Sequence, residues 1–294
     1  MQTETAMHLS AVSKLRHDCA QHSYCAPAFL YRGSRSAVSF LTTGSKRRIQ
    51  MFDQNVLDRI QVITHSCIRI AGKTVIYIDP IGIAGEPHDA DLILFTHPHF
   101  DHFSPKDVKK LMKADTVIAA PKSMALLCTL RLQKKPVTLL PGQQTELAGI
   151  PVSAVAAYNK AKPSHMKLMN WLGYLLTIGE TQVYISGDTD VTEESKRVSC
   201  DIALLPVGGF YTMDAVQAAE LANTIAPHTV IPVHYGKLLG GAQAPEQFRN
   251  ALQPGIQADI RPSVYSNVMI PMLIRAALLG AAAFVLAYLA FRYL

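Results

Sequence analysis

The apolar run Leu92–Phe95 stops at Thr96-His97-Pro98-His99-Phe100-Asp101-His102, which places three imidazoles and a carboxylate within six residues. A strand that ends this way crowds nitrogen and oxygen donors into a loop where the backbone has stopped laddering, as metal-binding sheet edges do. One divalent ion cannot easily take all four donors. His97 and His99 can reach one centre while Asp101 and His102 are directed to a second, about 3.5–4 Å away, the spacing of two-metal sites. Three more donors sit beside strand-like runs: Asp188 in Ser186-Gly187-Asp188-Thr189-Asp190, His234 in Ile231-Pro232-Val233-His234-Tyr235-Gly236, and His165 at the end of Asn159-Lys160-Ala161-Lys162-Pro163-Ser164-His165. Such a chain must bring strand ends from distant parts of the sequence to one edge.

Residues 51–265 have the alternation this requires. Ile60–Thr64, Thr74–Ile78, Asp91–Thr96, Thr116–Ala119, Val137–Leu140, Val152–Ala156, Tyr174–Ile178, Gln182–Ile185, Ile202–Pro206 and Thr229–Val233 read as strands. Helices are expected from Ser104-Pro105, an N-cap followed by Pro at the first helical position, and over Pro121–Lys135, Met213–Ile225 and Pro245–Leu252. The order suggests short antiparallel pairs with a few crossover helices, a layered α/β sandwich rather than a doubly wound nucleotide fold. The phosphate-cradling patterns GxGxxG and GxxxxGK[ST] are absent.

The histidine motif, the later His165, Asp188 and His234, and the segments His65-Ser66-Cys67, Tyr77-Ile78-Asp79-Pro80, Tyr158-Asn159, Trp171-Leu172-Gly173-Tyr174, Leu205-Pro206-Val207-Gly208-Gly209 and Pro232-Val233-His234-Tyr235-Gly236 resemble the metallo-β-lactamase superfamily over about residues 58–262. Within it, these segments look like its bacterial and archaeal metal-dependent hydrolases related to ascorbate-6-phosphate lactonase. The phospholipase D that cleaves N-acyl phosphatidylethanolamine is a more distant relative. The resemblance implies an α/β protein with an αββα sandwich. It implies that His97, His99 and His165 bind a first metal, that Asp101, His102 and His234 bind a second, and that Asp188 bridges them. Asp79 matches the buried aspartate that supports the ligand loop. The redox branch of the fold carries Glu at the position of His99, so a hydrolytic site is favoured over oxygen chemistry.

Composition first points elsewhere. The formal charge is +6 and the pI about 9.0, with 49% hydrophobic and 17% charged residues, and a basic chain invites a polyanion partner. The charge sits at the ends. Residues 1–50 carry seven Lys/Arg against Glu4 and Asp18, while Arg275 and Arg292 bracket sixteen uncharged, largely apolar residues, Ala276–Phe291. The basic arm 1–50 has no sustained period and reads as a flexible extension, with a transit-peptide-like segment or a small knuckle of His17, Cys19, His22 and Cys25 as alternatives. As a helix the C-terminal run reaches about 24 Å, against a hydrocarbon core of about 30 Å. Snorkelling arginines and Val268–Ile274 make up the difference, so 268–294 is expected to be a transmembrane tail. Five cysteines, an odd number, do not form a disulfide framework.

The expected protein is a metal-dependent hydrolase tethered to a membrane by its tail, with the catalytic domain 51–265 in the cytoplasm. Two divalent ions, Zn²⁺ first with Mn²⁺ or Fe²⁺ also suited to imidazole and carboxylate ligands, would furnish a hydroxide that cleaves an ester, lactone or phosphodiester of a small or lipid-like substrate. Asp101 and Asp188 would act at the reacting centre, and Tyr235 or His65 would hold the oxyanion or leaving oxygen. Two alternatives stand beside this one. A nuclease is kept open by Lys106, Lys109, Lys110 and Lys113, though the near-neutral core lacks the clustered bases that a phosphate backbone demands. The other is a non-catalytic protein whose metals serve stability.

Overall fold

A computed structural model describes residues 53–236 and 241–262. The basic arm 1–50 and the apolar tail 268–294 lie outside the described residues, and among those residues no helix is long and apolar enough to cross a membrane.

The strands form two mixed sheets. The first runs in the order β1 (Ile60–Thr64), β2 (Cys67–Ile70), β3 (Ile76–Ile78), β4 (Ala90–Leu94), β5 (Met112–Pro121) and β6 (Val137–Leu139). The second contains β7 (Gln144–Leu147), β8 (Ile150–Ala156), β9 (Leu172–Ile178), β10 (Thr181–Ile185), β11 (Ile202–Pro206), β12 (Thr229–Val233) and β13 (Gln257–Ala258), also in chain order. Alternation along each strand sorts side chains into layers. Leu92 and Leu94 of β4 and Ile202 and Leu204 of β11 point into the core between the sheets. Their neighbours Ile93 and Phe95 face α2 (Pro105–Leu111) and α3 (Ala125–Leu132). Ala203 and Leu205 face α4 (Ala215–Ile225) and α5 (Ala244–Asn250). The layers are therefore helix, sheet, sheet, helix.

Ile60–Thr64, Ile202–Pro206 and Thr229–Val233 match the expected strands residue for residue. β2, β7, β13 and the short helix α1 (Gln54–Arg59), capped by Asp53, were not anticipated. Gln144–Leu147 is mostly exposed, so it carries little apolar period to read. The helix expected from Pro121 begins later: Pro121 closes β5, a 3₁₀ turn follows over Lys122–Met124, and α3 ends where Gln133 adopts φ 55°. Helix α4 starts at a capping box made by Asp214 and Gln217.

The expectation of mainly antiparallel pairs holds for β1–β2–β3 and β7–β8–β9–β10 only. β3 to β6 run parallel, as do β10 to β13. Helices α2 to α5 are the crossovers that parallel neighbours need. This has a direct functional consequence: parallel strands end at the same edge, so the segments after β3, β4, β10, β11 and β12 all emerge there.

Backbone contacts stitch that edge together. The Leu172 amide donates to the Thr96 carbonyl at 3.1 Å and the His234 amide to the His65 carbonyl at 3.2 Å. The buried Tyr174 hydroxyl donates to the Phe95 carbonyl at 2.6 Å. Gly173 is required where β9 meets the end of β10, because a Cβ there would stand 2.6 Å from the Ser186 carbonyl oxygen. Gly173→Ala should lower the unfolding free energy by about 1–3 kcal/mol through overpacking, read as a lower urea midpoint with an unchanged slope. An unaltered midpoint would show that the two strand ends are not held this tightly.

Candidate metal centre

The site begins with Asp79, which follows β3 at φ 45° and is 1% exposed. Its carboxylate accepts from the Thr96 amide (2.8 Å), the Thr96 hydroxyl (2.5 Å) and His102 Nδ1 (2.7 Å). Burial pushes this carboxyl up from its usual value, and the His102 imidazole and the Thr96 donors oppose that. Because Thr96 gives its only hydroxyl proton to Asp79, its oxygen is left to accept from His97 Nδ1, 2.9 Å away. The hydrogen-bond chain therefore fixes which nitrogen of each ring faces the cluster. His97 carries its proton on Nδ1 and presents a bare Nε2, and His102 also donates from Nδ1 and turns its Nε2 inward, the orientation that a supporting carboxylate imposes on metal-binding histidines.

Those nitrogens face a cluster gathered from five loops, the segments after β1, β4, β8, β10 and β12. His97 Nε2 lies 3.3 Å from His165 Nε2. His97, His99 and His165 form one group whose donor atoms converge, and His65, Asp101, His102 and His234 form another. Asp188, 4% exposed, stands between them. Its Oδ2 is 3.1 Å from His234 Nε2, 3.4 Å from His102 Nε2, 3.5 Å from His165 Nε2 and 3.8 Å from His97 Nε2. Asp79 also approaches His97 and His102, but its oxygens are spent on the protons just described.

The electrostatics is that of crowded donors. Burial alone would raise the Asp188 and Asp101 carboxyls, but His234 and His102 around the first, and His102, His234 and His65 around the second, hold both well below the usual carboxylate range. Burial disfavours charge on His234 and His102, yet the surrounding carboxylates raise His102 well above its ordinary value and His234 from 6.5 to about 9. Burial lowers His65 and His165 to about 4 and holds His97 well below its ordinary value. Among the described residues, both His234 nitrogens and His102 Nε2 are buried without a hydrogen-bond partner. An orphaned imidazole nitrogen beside three others and two ionised carboxylates fits a divalent cation, and the all-nitrogen-and-oxygen donor set suits a borderline or hard one.

Every ligand-type residue expected from the sequence reaches this cluster. His65, at φ 52°, joins it with Nε2 3.2 Å from Asp101 Oδ2 and its ring 3.8 Å from that of His234. Tyr235 does not. Its hydroxyl donates to the Arg261 carbonyl at 3.2 Å and its ring packs against the outer core, because the chain turns at His234, φ 56°, and sends the next side chain to the far side of the sheet. Two roles escaped the sequence reading. One is the Thr96 relay, whose only signal is its place between strand and first histidine. The other is Trp171, 6% exposed, whose ring lies 5.1, 4.9 and 5.1 Å from those of His97, His99 and His165.

The supports are equally specific. Gly208 is needed because a Cβ would lie 2.3 Å from the His234 carbonyl oxygen and 3.0 Å from His234 Nδ1. Asp190 holds the loop bearing His165 through Asn159, the Lys160 amide and Lys162, and the Lys162 ammonium bonds on to the Thr212 carbonyl at 2.6 Å. Of the cysteines described, Cys67 and Cys128 are buried and Cys200 partly so, all three free. Desolvation pushes the Cys67 thiol up to about 12, which leaves it inert.

Metal binding must displace the proton that His234 holds below pH about 9. Zinc uptake at pH 7 should therefore release at least one proton, measured by calorimetry in buffers of different ionisation enthalpy, and apparent affinity should rise as pH rises toward 9. The metal-free fold has the opposite dependence: the stabilisation from charged His234 is complete below about pH 6.5 and fades as pH rises through about 9. Asp79→Asn should weaken metal binding by about 10–100-fold; an unchanged affinity would remove the relay from the site.

Comparison with known proteins agrees with this geometry. The profile of the Beta-lactamase superfamily domain matches residues 59–234. A UPF0173 metal-dependent hydrolase of Thermoplasma acidophilum is 31% identical over 198 residues, covering 63% of this chain and 86% of its own length. Another from Thermococcus onnurineus is 28% identical over 207 residues, 65% of this chain and 90% of the relative. A solved structure of a candidate metal-dependent hydrolase from Parabacteroides distasonis superposes with a TM-score of 0.57 at 32% identity, covering 69% of this chain and 91% of that one. With its two sheets, its outer helices and a donor cluster at the shared strand edge, the chain belongs to the beta-lactamase superfamily, among its metal-dependent hydrolases.

Proposed function

We propose that the cluster holds two divalent ions, zinc by preference, and that the chain hydrolyses an ester, lactone or phosphodiester. The observation that carries this is the single Asp188 oxygen set 3.1–3.8 Å from four Nε2 atoms, a position suited to a bridging carboxylate. In this reading His97, His99 and His165 hold one ion, and Asp101, His102 and His234 hold the other. Two such ions supply an activated water at neutral pH and a Lewis acid for developing negative charge.

The protein's own groups do the positioning. An ionised Asp101 can only accept, so neutral His65 gives its Nε2 proton to Asp101 and orients it. His65 is then a positioning residue beside the second ion. Of the eight clustered side chains, only His99 and Asp101 are not buried, so the cluster opens to solvent between them, next to Phe100, 45% exposed. A substrate enters there, with Asp101 placed to orient the attacking water. Trp171 closes the opposite wall and excludes water behind His97 and His165.

The nuclease reading is weaker. Lys110 is tied to Asp107 and the Ile83 carbonyl, and Lys113 to Asp91. That leaves only Lys106 and Lys109 of the four lysines for a phosphate backbone. The apolar segment 268–294 supports a further proposal, that it tethers the enzyme to a membrane with the catalytic domain on the cytoplasmic side, close to amphiphilic substrates.

Metal analysis joined to a panel of p-nitrophenyl phosphodiesters, lactones and dispersed phospholipids tests the assignment. His99→Ala and Asp188→Ala should each lose bound metal and at least about a hundredfold of turnover; full activity in either would sink the two-metal reading. Deleting 268–294 should move the protein from the membrane to the soluble fraction with turnover of a water-soluble ester retained, and an unchanged distribution would remove the tether.

A further inference from the structure

We infer that the part of the second sheet's outer face that no described residue covers is a second binding site, for an amphiphilic anion with an extended apolar body, and that Trp171 couples its occupancy to the metal centre. Helices α4 and α5 pack over Tyr184, Ala203, Leu205 and Val230, and the same apolar cluster continues onto Val155 of β8 and Leu175 of β9. There it borders a cavity of about 650 Å³, within the range of sites for small organic ligands. Ser153 lies two residues from Val155 along β8, so it faces the same way and lines the same trough.

The charge at the rim selects the ligand. Lys167 is committed: its ammonium lies 2.6 Å from the Glu194 carboxylate and 4.8 Å from the centre of the Tyr158 ring. Arg197, which also lines the cavity, has no side-chain partner among the described residues. A trough with apolar walls at Val155, Leu175 and Val198, neutral polar side chains such as Gln144 and Gln182 along it, and at its lip one guanidinium that no described side chain compensates matches a carboxylate or similar anion carried on a hydrocarbon body. The end of the trough nearest the metal centre is Trp171, the same indole whose ring packs about 5 Å from those of His97, His99 and His165. A molecule seated against that ring bears on the wall of three candidate ligands, and coupling through it is reciprocal.

Trp171 is the only tryptophan in the chain, so it reports the site directly. Dodecanoate is titrated into the full chain, stripped of metal so that the carboxylate has no ion to bind, and tryptophan emission is followed. A saturable shift is expected, with dodecyltrimethylammonium binding at least tenfold more weakly. Arg197→Ala and Ser153→Phe, which removes the charge and fills the trough respectively, should each raise half-saturation at least tenfold, while Arg197→Lys stays within threefold of the parent. Dodecanoate should also change zinc affinity at least threefold in a chelator competition, an effect lost in Ser153→Phe. Absence of a saturable shift, a shift indifferent to both substitutions, or equal binding of the cationic surfactant would overturn the site; intact binding with unchanged zinc affinity would overturn the coupling. Since binding is read without metal and without turnover, its failure would leave the hydrolase reading standing.

Discussion

The whole centre hangs on one buried carboxylate. Asp79 is 1% exposed, and its two oxygens collect the Thr96 amide, the Thr96 hydroxyl and His102 Nδ1. Each of those bonds removes a freedom that the histidine loop would otherwise have: the path of the backbone as it leaves β4, the direction of the threonine hydroxyl, and the orientation of two imidazoles. A polar group this deeply buried is costly unless satisfied. Here it is satisfied by the atoms that must be held still, so the same bonds that make the burial tolerable also preorganise the donors.

Around that anchor the sandwich works as a device for converging chain ends. The parallel strands β3 and β4 in one sheet and β10, β11 and β12 in the other all deliver their following loops to one edge, the usual location of sites in sheets with parallel strands. The sheets meet there through backbone as well as side chains. Leu172 bonds to Thr96 and His234 to His65, and glycines stand where a Cβ would collide with a neighbouring carbonyl. Close backbone approach is what lets one Asp188 oxygen sit within 4 Å of four imidazole nitrogens.

That proximity also explains the electrostatic pattern. Imidazoles buried against one another resist protonation, as His65, His97 and His165 do, while the two nearest the carboxylates, His102 and His234, are driven the other way. A protein holding such a set without metal stores opposed tendencies that a divalent cation resolves at once, because it replaces the protons and satisfies the nitrogens that lack a partner.

The donor inventory was legible in the sequence because metal chemistry needs particular residue types, and His97, His99, Asp101, His102, His165, Asp188 and His234 stand out against apolar strands. The core strands were legible for the same kind of reason, since two-residue alternation marks a half-buried ribbon, and Ile202–Pro206 and Thr229–Val233 carry it undisturbed. Exposed β7 has little such pattern, and parallel pairing has no local signature. Tyr235 shows the limit: its place beside His234 suggested a catalytic group, but a positive φ at His234 turns its hydroxyl to Arg261. The sequence by itself determined which donors the protein has and that strand ends present them. Only the tertiary structure decided which of them meet, which nitrogen of each fixed imidazole faces the cluster, and that one tryptophan borders both the centre and the outer groove, because those depend on backbone approach and hydrogen-bond direction between segments far apart in the chain.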